Sequence, residues 1–121
     1  MARRFEWCGR EIELLLNDDG GTFEESAAHA LELIDKEQLW QAEFDDRLYA
    51  ELYSNWDENW RQDNPPLNKV QWLARLDMQS LEVSAEGYFT VMFGDGDLFW
   101  GHWLEVFGKV DEGAKYASLL G

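Results

Sequence analysis

The sequence predicts an α+β fold: a mainly antiparallel sheet, built from an N-terminal hairpin and C-terminal strands, with two or three helices packed on one face. Three observations carry this. Apolar residues alternate with period two near the N-terminus and again from Met78 onward, as they do on half-buried strands. Between those regions they recur at helical spacing. Asp63-Asn64-Pro65-Pro66 then closes the long helical stretch, because proline removes amide donors and pushes its neighbour toward extended conformations. With 121 residues, 45% of them hydrophobic, the chain suffices for one domain with a real core, residues 1–121.

Taken in order, residues 4–8 and 11–16 both alternate, which predicts a hairpin turning at Gly9 and Arg10, with Phe5 and Trp7 on the same side as Ile12, Leu14 and Leu16. Glu6, Glu11 and Glu13 give the other face a solvated character suited to a sheet edge. Residues 17–21 break the strand. Thr22 with Glu25 has the form of a capping box opening a helix whose inward stripe reads Phe23, Ala27, Ala30, Leu31 and Ile34. The phase slips between Asp35 and Trp40, predicting a break there. A second helix from about Gln41 to Trp60 carries Phe44, Leu48, Leu52, Trp56 and Trp60 at steps of four, flanked by Tyr49 and Tyr53. After the prolines, Asn68 can cap a short helix to about Leu76 with Val70, Leu73 and Leu76 inward. Leu81 and Val83 then alternate with Ser80 and Glu82, a turn comes at 85–87, and Tyr116, Leu119 and Leu120 suit a last strand or turn.

The most apolar stretch is residues 88–109, YFTVMFGDGDLFWGHWLEVFGK, which reads as a hairpin turning at Gly94-Asp95-Gly96-Asp97. Neither face of its second strand, counted from Leu98, is polar. The ribbon is therefore expected to be covered on both sides, or covered on one and used for binding on the other. Phe89, Val91, Phe93, Phe99 and Trp103 are assigned to a sheet core covered by the second helix.

Charge bounds the partners. Twenty-five acidic against ten basic residues give a formal net charge of −15, which opposes phosphate neutralisation and anionic membranes, so direct nucleic-acid and membrane binding are not expected. The single cysteine, Cys8, makes neither an internal disulfide nor a metal-ligand pattern, no apolar run is long enough to span a bilayer, and no apolar signal-peptide core comes after the basic N-terminus. These features point to a cytoplasmic protein, and no cofactor is expected.

Asp95 to His102, DGDLFWGH, together with the preceding LEVSAEGYFTVMF, the acidic aromatic helices before the Pro break and the terminal ASLLG, resembles a family of uncharacterised bacterial proteins, a domain of unknown function. The resemblance spans most of the chain and implies no activity. Where the family has a small polar residue and Ile or Val after GH, this chain has Trp103 and Leu104, a departure that bears on surface chemistry rather than fold.

Two functional classes fit these residues. Asp95, Asp97 and His102 are types that bind divalent metals, which would suit a metal-assisted hydrolase or small-ligand enzyme. Against this, His102 lies about 16 Å beyond Asp97 along an extended strand. A turn-stabilising role for the aspartates and a hydrogen-bonded structural histidine is the plainer reading. The second class is a non-enzymatic binding module of immunity-protein, inhibitor or nucleic-acid-mimic type that docks on a basic protein. From Thr22 to Asn64 there are twelve acids and three bases, so this segment carries −9 of the −15, alongside Trp40, Trp56 and Trp60. Charge steers encounter and a partly exposed tryptophan supplies the anchor, which makes Asp45, Asp46, Trp56, Asp57, Glu58 and Trp60 the binding candidates. The bland counterpart is a solvated helix face over an aromatic core.

Overall fold

The structure, a computed structural model, describes residues 2–120. Strands β1 (Ala2–Trp7) and β2 (Arg10–Leu16) form the first hairpin, and helices α1 (Phe23–Asp35) and α2 (Glu37–Asn55) come next, the latter running into a π-helical turn, Trp56–Trp60. After α3 (Lys69–Ala74) come β3 (Asp77–Val83), β4 (Tyr88–Gly94), β5 (Trp103–Lys109) and β6 (Gly113–Leu120). The strands form one sheet in chain order, β1-β2-β3-β4-β5-β6, antiparallel throughout except that β2 and β3 are parallel. That exception is a consequence of the connection: the chain leaves β2 and returns through all the helices, the long crossover that parallel neighbours require. An α+β fold with a mainly antiparallel sheet is the one that the alternation predicted.

The first hairpin turns on Cys8 and Gly9, one residue earlier than expected, with both residues left-handed (φ 48° and 81°) and Trp7 opposite Arg10. Such a two-residue loop needs positive φ at both central positions, and Gly9 supplies one of them without cost. The faces are unaffected, since Phe5 still pairs with Ile12.

The capping box at Thr22 and Glu25 is present. The stripe of α1 is rotated from the expected one: Ser26, Ala30 and Leu33 are buried, whereas Phe23 and Leu31 are 42% and 64% exposed. Here Ser26 donates its hydroxyl to the Val83 carbonyl, 2.8 Å away, so a polar residue holds an inward position that hydrophobicity could not mark. The predicted break is the single residue Lys36, and α2 begins four residues before expected. Its Phe44, Leu48 and Leu52 are buried, as is Trp56 in the π-helical turn, while the last of the five expected at steps of four, Trp60, is half-buried. A second capping box, Asn68 with Gln71, opens α3, where Trp72 is wholly buried and Val70, expected inward, is 77% exposed. In so short a helix one large ring fixes the rotation, and Trp72 outweighs Val70 in buried area.

One cluster joins the helices to the sheet: Leu33, Phe44, Leu48, Leu52, Trp56 and Trp72 meet Ile12, Leu14, Leu81, Val83, Phe89, Val91, Phe93, Leu104 and Val106. The second hairpin departs from its expected form. Residues 95–102 are a loop, and β5 starts only at Trp103, opposite Gly94. Alternation from that start sends Leu104 and Val106 inward and leaves Trp103 47% exposed, outside the core to which it was assigned, while Phe99 is buried from the loop. The outer edge of β6 is covered by α2: Glu43 accepts the Ala114 amide at 3.2 Å, and Glu51 accepts that of Ala117.

Candidate functional site

Loop 95–102 is built around one carboxylate. Asp95 is 5% exposed; its Oδ1 accepts the Asp97 amide, and its Oδ2 accepts those of Phe99 and Gly101, all at 2.9 Å. These bonds hold Asp97 and Trp100 in left-handed conformations, φ 65° and 59°. Gly96 is also left-handed, and a Cβ there would lie 2.1 Å from the Arg75 carbonyl oxygen. Phe99, Trp100 and His102 all set their rings against Trp60, with centroids 5.5, 4.6 and 5.3 Å away. His102 Nδ1 lies 2.6 Å from the Phe99 carbonyl. Both oxygens of Asp95 thus serve the loop's own amides, and among the described residues no group of three or more His, Cys, Asp or Glu is placed to hold a metal ion.

The helical candidates are dispersed. Trp56 is 3% exposed and lies in the core rather than on the surface, because it continues the inward stripe of α2. Trp60 is half-buried beneath the loop rings. Asp46 is paired with Lys69 at 3.0 Å and Asp57 with Arg61 at 2.7 Å, while Glu58 is exposed. Asp45 lines a cavity of about 220 Å³ together with Trp7, Cys8 and Gln41. Trp7 Nε1 donates to Gln41 Oε1 at 2.9 Å, and Gln41 Nε2 donates to Asp45 Oδ1 at 3.0 Å. Burial pushes the Asp45 carboxyl above its ordinary value, with the Asp46 charge adding to this and the Gln41 bond and Lys69 opposing it. Burial, and then Glu37 and Asp45, also raise the Cys8 thiol, which disfavours the thiolate a nucleophile needs.

Carboxylates and accessible rings also meet on the sheet. Glu82, Thr90, Phe107 and Tyr116 form one row across β3 to β6, each opposite the next. Along this row Phe107 stacks on Tyr116 at 5.2 Å and 23°, and diagonally on Tyr88, two residues before Thr90 on β4, at 5.8 Å and 18°. Tyr88 and Tyr116 are 36% and 43% exposed. A groove of about 420 Å³ runs over Glu82, Tyr88, Thr90 and Phe107, and Asp19 and Glu86 line it as well. Its walls are fixed locally. Asn17 donates its amide nitrogen to Val83 O at 3.1 Å and its side chain to Glu82 at 3.0 Å, and Gly20, at φ 80°, lies against Glu86 where any Cβ would overlap it. Lys109 Nζ sits 5.1 Å from the centre of the Tyr88 ring, so this surface already holds one cation over an aromatic face.

The expected binding candidates do not include these residues, although the alternation that put Leu81, Val83, Phe89 and Val91 inward necessarily put Glu82, Tyr88 and Thr90 on the other side; Phe107 shares the phase of Trp103, which was expected inward, and joins them through the change of phase in β5. Strand order and register, which align them in one row, had no local signal. Among the described residues no helix is long and apolar enough to cross a membrane. No curated protein and no solved structure matches the chain. Residues 2–119 match the model of a family described as uncharacterized protein conserved in bacteria (DUF2262), a span that takes in the groove, the Asp95 loop and every helix, and the chain belongs to that family.

Proposed function

We propose that this chain is a non-enzymatic protein-binding module of the cytoplasm, of the immunity-protein, inhibitor or nucleic-acid-mimic kind, in which the helices cover one face of the sheet and the opposite face docks a basic protein. The observation that carries the reading is the stacked ladder Tyr88–Phe107–Tyr116 beside the carboxylates of Asp19, Glu82 and Glu86. Rigid rings provide contact area at low conformational cost, and neighbouring carboxylates favour Lys or Arg side chains that lie across them. The net charge of −15 favours encounter with such a partner at long range.

Affinity capture from bacterial lysate tests the proposal with three baits: the unaltered protein, a groove variant (Glu82→Gln, Glu86→Gln, Tyr116→Ala) and a helix variant (Asp46→Asn, Glu58→Gln). A partner retained at physiological ionic strength, where electrostatic reach falls to about 8 Å, should be lost by the groove variant and kept by the helix variant. A partner indifferent to the groove substitutions, or a collection of basic proteins that all wash off, overturns it.

A further inference from the structure

The two edges of the sheet are treated differently. On β6, Glu43 and Glu51 of α2 take up the outward amides of Ala114 and Ala117. On β1 no such cover exists among the described residues. Because Trp7 and Arg10 close a two-residue turn, they form a hydrogen-bonded pair, and such pairs alternate along the ladder with non-bonded ones. The backbone groups of Phe5 therefore point to β2, and those of Arg4 and Glu6 point outward, a row of free donors and acceptors able to template another strand.

We propose that β1 pairs antiparallel with β1 of a second copy of this chain, with the two-fold axis at Phe5, to give a continuous twelve-stranded sheet. The triplet Arg4-Phe5-Glu6 is self-complementary in that register. Arg4 falls opposite the partner's Glu6, and Glu6 opposite the partner's Arg4, in the two positions whose backbone groups face the partner. Phe5 meets the partner's Phe5 in the intervening close pair on the other face, where it is half-buried and sets its ring edge-on to Trp7. Opposite charges and aromatic pairs directly across a ladder are the favourable cross-strand combinations. The hairpin itself leaves Glu6 in need of a cation. Its cross-strand neighbour is Glu11, a like charge, and Arg4, the hairpin's nearby cation, bonds Glu11 at 2.9 Å. A two-fold contact of this kind is isologous and closed, so it ends at the dimer rather than growing into a fibre. The protected β6 edge works to the same end.

Sedimentation equilibrium tests this on the unaltered protein, on Arg4→Glu, on Glu6→Arg and on the combined swap. The unaltered protein should show a concentration-dependent dimer. Each single substitution sets like charges opposite one another at both symmetric positions and should weaken association by at least about tenfold. The combined swap should restore it, although it does not restore the bond between residue 4 and Glu11, so that rescue reports the contact between copies. Both positions are solvent-exposed, and unchanged circular dichroism would confirm that folding is intact. A protein that stays monomeric up to about 1 mM, a dimer insensitive to the single substitutions, or a combined swap that fails to rescue would each overturn the proposal.

Discussion

Replacing Asp95 isolates the energetic role of the most ordered feature of the second hairpin. Its carboxylate accepts three backbone amides at 2.9 Å, and the residue is 5% exposed. In Asp95→Ala the amides of Asp97 and Gly101, both exposed residues, can turn to water, but that of Phe99, which is fully buried, cannot. Leaving one buried donor unpaired costs about 1–3 kcal/mol, and hydrogen bonds to a charged group contribute about 1.5–3 kcal/mol each when intact. One full loss and two partial ones amount to roughly 3–5 kcal/mol. Asp95→Asn keeps one acceptor oxygen and should lose about half as much. Urea unfolding followed by tryptophan fluorescence reads the difference directly as a shift in midpoint at constant slope. A second effect separates this account from simple loss of packing. Asp97 and Trp100 are held left-handed, a conformation disfavoured by about 1–2 kcal/mol for residues bearing a Cβ. Without the carboxylate that strain favours opening of the loop, so the amides of residues 97–101 should exchange with solvent faster than those of β4 and β5. If both variants unfold within about 0.5 kcal/mol of the parent, the usual range for an uninvolved surface position, Asp95 does not organise the loop.

Other consequences can be tested in the same way. Phe44→Ala and Leu48→Ala each remove a fully buried side chain from the junction of α2 with the sheet, and chemical denaturation should show a loss of roughly 2–5 kcal/mol for each. The double substitution Glu43→Ala, Glu51→Ala uncovers the β6 edge, so hydrogen exchange at Ala114 and Ala117 should accelerate while the amides of β4 stay protected; unchanged exchange would remove the edge-covering role. Asp45 has its carboxyl raised by burial, so the folded state binds its proton more tightly than the unfolded chain does. The contribution of this group to stability therefore falls as pH rises from the ordinary aspartate range through the raised folded value. Asp45→Asn should flatten that part of the stability-versus-pH curve, and an unaltered slope would count against the burial.

How much of this was legible depended on the range of the interaction responsible. Both capping boxes are four-residue devices and were visible, or half visible, in the sequence: Thr22 with Glu25 as a full box, Asn68 as a cap. The inward positions of α2 were legible because four large residues at regular spacing leave one way to bury them. The stripe of α1 was not, because Ser26 reaches inward to hydrogen-bond Val83, a partner 57 residues away. The start of β5 was hidden for a related reason. Leu98, Phe99 and Trp100 have the composition of a strand, but three amides converging on Asp95 fold them into a loop, and a one-residue change of phase then exchanges Trp103 for Leu104 at the core. Of the strand order only the edge position of the first hairpin had a local signal, in Glu6, Glu11 and Glu13; the order of the other strands, on which the groove depends, had none.

The same distinction governs the acidic surplus. Counted along the chain, the excess between Thr22 and Asn64 looks like one helical surface. In the fold its members are used separately: Glu25 in a cap, Glu43 and Glu51 on the amides of β6, Asp46 and Asp57 in ion pairs, and Asp45 partly buried against Gln41. A carboxylate already accepting from its own chain gives up that bond when it meets a partner, so its contribution to docking is the difference between the two. Asp19, Glu82 and Glu86 differ in this respect. Among their described contacts Glu82 accepts only the Asn17 amide, a neutral donor, and none of the three is in an ion pair. A basic partner that meets these three carboxylates therefore gains attraction without breaking an ion pair, and the cation already on this surface, Lys109, lies over the Tyr88 ring. Local net charge along a sequence is a poor guide to a binding surface for this reason, and the groove is a better candidate than the segment that carries more of the charge.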